Sequence, residues 1–62
     1  TGREMAIIHL AVQGLKNKEI AEEQKVAEIT IKKAMSTIYR KLNISGRPEL
    51  LTIFGEEKHE EE

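Results

Sequence analysis

Sixty-two residues make at most one small domain, and the lack of cysteine excludes a disulfide framework or a thiolate metal site. No apolar run approaches the roughly 18 residues of a membrane span and no signal peptide is visible. A soluble, intracellular, cytoplasmic all-α domain with no membrane partner is therefore expected. The net charge of −1 conceals a polarity along the chain. Residues 1–55 hold nine Lys/Arg against six Glu, whereas residues 56–62, "EEKHEEE", hold five Glu against one Lys. Between 25 and 47, Lys25, Lys32, Lys33, Arg40, Lys41 and Arg47 face only Glu28. Local positive charge of this kind suits a polyanion, although a solvated helix face shows it too.

The opening "TGRE" has capping-box spacing, with Thr1 placed to cap a helix and Glu4 to reach back to the cap residue's amide. A start at Thr1 instead of methionine also suggests a piece of a longer protein. Met5, Ile8, Ala11, Val12 and Leu15 then form one apolar stripe, widened by Ile7, and Gly14 follows at a left-handed helix end. The first helix is predicted over about 2–13. Asn17 is the expected N-cap of the second.

Residues 17–42, "NKEIAEEQKVAEITIKKAMSTIYRKL", contain neither glycine nor proline, so nothing overt marks a turn. On one continuous helix, Ile20, Ala27, Ile31, Ala34, Met35, Ile38 and Leu42 would share a face, stranding only Val26 and Ile29. Those two residues and the β-branched run "ITI" favour a break near 25–27. A single helix here would also be about 39 Å long, too long for the rest of the chain to cover. Further on, "NISGRP" reads as a loop, and Pro48 and Glu49 suit a helix start. Leu50, Leu51, Ile53 and Phe54 follow before Gly55, and the glutamate-rich 56–62 is expected to be a frayed acidic tail.

These blocks resemble the LuxR/FixJ (GerE-type) DNA-binding domain, without a gap from Thr1 to about Leu51. "TGRE" stands where that family has T-P-R-E, and "QGLKNKEIA" at 13–21 is almost its QGLSNKEIA signature. "TIKKAMSTIYRKLNIS" at 30–45 follows T-V-K-x-H-x-x-x-I-x-x-K-L-x-V-x, and Arg47 occupies the family's arginine. The resemblance implies a four-helix domain over 1–55 with helices at about 2–13, 17–24, 28–42 and 48–54. The second and third would form a helix-turn-helix around a turn at 25–27. Lys25 replaces a common glycine in that turn, and Ala27 a usual serine or threonine cap. Gln24, Ala34 and Ala6 stand for a usual leucine, histidine and glutamate. Ala6 removes a carboxylate that could meet a basic residue, which takes away one reason to give Arg47 a structural role.

With Ile31, Met35, Ile38 and Leu42 inward, helix 28–42 turns Ile29, Lys32, Lys33, Ser36 and Arg40 outward as one stripe. The resemblance assigns base reading in the major groove to Lys32, Lys33 and Ser36, for which lysine and serine have suitable donors. Ile29 could meet a thymine methyl or pack as a part-buried residue. Phosphate contacts are expected from Asn17 and Lys18 at the positive end of the second helix, and from Thr30, Thr37, Arg40, Lys41 and Arg47. Family members generally stand behind a receiver or ligand-binding domain and dimerise, here through helix four and whichever of Leu50, Leu51, Ile53 and Phe54 are not core.

The expected function is sequence-specific binding of double-stranded DNA as the output domain of a transcriptional regulator, such as a response regulator. No cofactor is expected. His9 and His59 lack a second ligand at metal spacing, and no nucleophile–base pair or glycine-rich phosphate loop suggests an enzyme. The rival expectation is a helical protein–protein interaction or dimerisation module without DNA affinity.

Overall fold

A computed structural model describes residues 2–55, and Thr1 and the acidic tail 56–62, with the expectations placed on them, lie outside the described residues. Four helices follow in order: α1 (Gly2–Val12), α2 (Asn17–Gln24), α3 (Glu28–Leu42) and α4 (Arg47–Gly55). Every described end falls within one residue of its predicted position. Residues 17–42 are two helices.

Each helix sends a narrow apolar arc to one shared centre. Ile7, Ile8 and Ala11 come from α1, Ile20 and Ala21 from α2, Ile31, Met35 and Ile38 from α3, and Leu50 from α4. The α3 spacing of i, i+4 and i+7 keeps its three residues on one side. Leu15, Val26, Leu42, Ile44 and Phe54 pack around that centre. The arc of α1 is centred between Ile7 and Ile8, so Met5 lies beyond its edge and is 55% exposed instead of joining the stripe.

One device ends the first three helices. Gly14, Lys25 and Asn43 adopt positive φ of 100°, 61° and 58°. At each, the amide of the left-handed residue and that of the next residue turn back to the closing turn of the helix. Gly14 N–H donates to Ala11 O at 3.0 Å and Leu15 N–H to Leu10 O at 3.3 Å. Lys25 and Val26 donate to Glu22 O and Ala21 O at 3.3 and 3.0 Å, and Asn43 and Ile44 to Arg40 O and Tyr39 O at 3.1 and 2.9 Å. The residue after each left-handed position is apolar (Leu15, Val26 or Ile44) and packs on the core, which fixes where the chain goes next.

The starts of the helices are less uniform. Lys16, not Asn17, is the N-cap of α2, with φ −81° and ψ 163°, and Glu19 reaches back to accept the Lys16 N–H at 2.7 Å. Asn17 is the first helical residue, and its side-chain oxygen accepts from Arg47 at 3.2 Å. Ala27 is the N-cap of α3 and offers no side-chain hydrogen bond. Arg47 precedes Pro48 in α4, whose start is closed by the Glu49 carboxylate accepting the Ser45 N–H.

Candidate nucleic-acid interface

Burial of Ile31, Met35 and Ile38 fixes the rotation of α3 and leaves Ile29, Lys32, Lys33, Ser36 and Arg40 exposed on the other side. The helix is about 22 Å long at 1.5 Å per residue, long enough to lie in a groove of duplex DNA. Lys32 and Lys33 sit side by side in its second turn, and Ser36 lies one turn further on. Thr30 and Lys41 are exposed, while Thr37 is part-buried at the edge of the stripe. No acidic residue occurs in α3 after Glu28, so the exposed Lys32, Lys33 and Arg40 meet no carboxylate from their own helix beyond its first turn.

Three of the predicted phosphate residues, Asn17, Lys41 and Arg47, have partners within the domain. Lys41 places its ammonium 3.0 Å from both carboxylate oxygens of Glu4, joining the end of α3 to the first turn of α1. The hydrogen bond from Lys41 holds the Glu4 carboxyl below its ordinary range. Arg47 is part-buried and donates from Nη1 to Ala11 O at 3.2 Å and to Leu15 O at 2.7 Å, and from Nη2 to Asn17 Oδ1 at 3.2 Å. Loss of a glutamate at Ala6 therefore does not deprive Arg47 of structural partners. It uses carbonyl oxygens at the end of α1 and the amide that opens α2. These bonds point the Asn17 carbonyl inward, leaving its NH2 group for other acceptors.

These pairings are the part of the site that sequence reasoning missed. Glu4 carries a capping signature, and nothing near it in sequence points to Lys41. The carbonyl partners of Arg47 have no side-chain signature at all. Lys18 is exposed beside Asn17 at the start of α2, where free amides and the helix dipole favour an anion.

On α4, Leu50 is fully buried and belongs to the core, so its side chain has no surface left for a partner. Leu51 and Ile53 are 39% and 48% exposed, and part-buried Phe54 lines a groove with Met5, Ala6, Ile8, His9 and Val12 of α1. Among the described residues, no group of three His, Cys, Asp or Glu could hold a metal ion, and no helix is long and apolar enough to cross a membrane.

The family model described as bacterial regulatory proteins, luxR family, matches residues 1–54 of this four-helix arrangement. The chain belongs to the luxR family. Its relatives include the nitrate/nitrite response regulator protein NarP of Escherichia coli, 34% identical over 58 residues that make up 94% of this chain and 27% of NarP. The transcriptional regulatory protein YdfI of Bacillus subtilis is 38% identical over 53 residues, 86% of this chain and 25% of YdfI. The HTH-type transcriptional regulator MalT of Vibrio cholerae is 43% identical over 49 residues, 79% of this chain and 5% of MalT. The chain thus spans about a quarter of the length of NarP and YdfI, and far less of MalT. No solved structure matches significantly. In this luxR-family domain α2 and α3 are the helix-turn-helix, and the domain is of the DNA-binding kind found in transcriptional regulators, which are generally not enzymes.

Proposed function

We propose that this luxR-family domain binds double-stranded DNA sequence-specifically as the output domain of a transcriptional regulator, with α3 in the major groove. The observation that carries the reading is the exposed stripe of Lys32, Lys33 and Ser36 on a helix anchored by Ile31, Met35 and Ile38. Lysine donates to the O6 and N7 of guanine, and serine donates or accepts less selectively. Lys18, Thr30, Thr37, Arg40 and the NH2 group of Asn17 are assigned to phosphate. Lys41 joins them by exchanging the Glu4 carboxylate for a phosphate, since its side chain is 56% exposed. Arg47 adds its charge and steadies Asn17 against the end of α1.

A homodimer would use Leu51, Ile53 and Phe54 of α4, with Leu50 left in the core. In the cytoplasmic parent protein, an upstream receiver or ligand-binding domain would control that contact, a receiver being the form suggested by the response regulator NarP.

Selection of duplexes from a random library, followed by anisotropy on the selected and a scrambled site, tests the reading. Lys32→Ala or Lys33→Ala should weaken binding to the selected site by about 1–3 kcal/mol and to scrambled DNA by less. Equal losses on both would make these lysines phosphate contacts. Failure to select any site, with exposed Met5, Leu51 and Ile53 still to be covered, would favour a protein-interaction module instead.

A further inference from the structure

Ile29 is the one large apolar residue of α3 that the fold does not use. It is 56% exposed, whereas Ile31 and Ile38 of the same helix are 0% and 2% exposed. Val26, Ala34, Tyr39 and Leu42 are part-buried against the core, and Ile29 is not among them. Local helix chemistry does not call for it either. It occupies the second position of α3, where a β-branched residue restricts its own rotamers and supplies no charge to the helix dipole. The apolar residues flanking the start of α3, Val26 before the cap and Ile31 in the fourth position, already pack inward.

Its place on the helix is specific. Ile29 lies three and four residues before Lys32 and Lys33 on the same exposed stripe, at the N-terminal end from which helix-turn-helix proteins reach base edges. In the major groove only thymine presents a methyl group, and it is read by apolar side chains. We propose that Ile29 is a specificity-determining residue that selects a T·A pair beside the bases read by Lys32 and Lys33, by packing on the thymine C5-methyl. The proposal rests on the DNA-reading function above. It adds a requirement that the lysines cannot supply, because an ammonium gains nothing from a methyl group.

The test begins with a duplex selected by the wild-type chain. Each thymine is replaced singly by deoxyuridine, which removes the methyl and preserves pairing, and affinities are measured for wild type, Ile29→Val and Ile29→Ala. At one or two positions uridine should weaken the wild type about fourfold, the worth of one buried methyl group. Ile29→Val should retain most of that sensitivity, and Ile29→Ala should bind thymine and uridine duplexes within twofold of each other. Since Ile29 is outside the core, urea melts of both variants should match wild type. A selected site with no uridine-sensitive position, or with the same sensitivity in Ile29→Ala, overturns the proposal and leaves the reading by lysine standing. If no site is selected at all, the DNA-reading function fails first and takes this proposal with it.

Discussion

Arg47 sits where three segments meet, bonded to Ala11 and Leu15 carbonyls and to the Asn17 amide, 36, 32 and 30 residues away in the chain. A guanidinium can satisfy all three because its donors are held in a rigid fork, whereas a lysine ammonium is a single point of donation. Arg47→Lys should therefore destabilise the domain nearly as much as Arg47→Ala, by about 1–3 kcal/mol in urea denaturation. A residue serving only as a phosphate contact would keep its stability in both variants, and Arg47→Lys would then bind DNA normally. The charge of Arg47 was legible in the sequence. Its geometry was not, because two of its acceptors are backbone oxygens, of Ala11 in the last turn of α1 and of Leu15 just beyond it, and carry no residue signature.

The α2–turn–α3 element joins two helices without glycine or proline, and its register is held by Lys25 in the left-handed region and by Val26 packing behind it. Comparison with the other two turns shows what is unusual. Gly14 has no Cβ to clash and Asn43 tolerates this region, but Lys25 bears a strain of about 1 kcal/mol there. Ala27 adds the lack of a side-chain cap, typically about 0.5–2 kcal/mol. Lys25→Gly combined with Ala27→Ser should raise stability by roughly 1–2 kcal/mol, read as a higher urea midpoint with an unchanged slope. No gain would mean that the surrounding structure already compensates for both. The break was readable only indirectly, from Val26 and Ile29 falling off the apolar face. The usual punctuation was absent, and its job is done by core packing.

Across the whole molecule, the pairing of Glu4 with Lys41 ties the first turn of α1 to the last turn of α3, 37 residues apart. The lowered pKa of Glu4 fixes the sign of its pH dependence. A carboxylate whose folded pKa is depressed stabilises fully above its unfolded value, and loses that contribution as pH falls through the folded value. The stability difference between wild type and Glu4→Gln should thus be constant from neutrality to about pH 5 and shrink below it. Salt should diminish it throughout, since both side chains are partly in solvent. A difference that persists unchanged in strong acid would mean that it does not come from the Glu4 charge, with the ion pair contributing nothing.

Resemblance to the family placed the limits of α2 and α3, and by its own pattern the sequence determined those of α1 and α4 to within a residue and the phase of α3 that turns Lys32, Lys33 and Ser36 to solvent. These properties are local: a helix repeats every 3.6 residues, so the inward face is written in neighbours three and four apart. Tertiary structure alone decided that Leu50 is core while Leu51 and Ile53 are surface, and that Arg47 and Lys41 have partners inside the domain. Each of these depends on how one helix is rotated and placed against another. No spacing within a single helix records that, because the contacting groups lie about half the chain or more apart and meet only when the shared core closes.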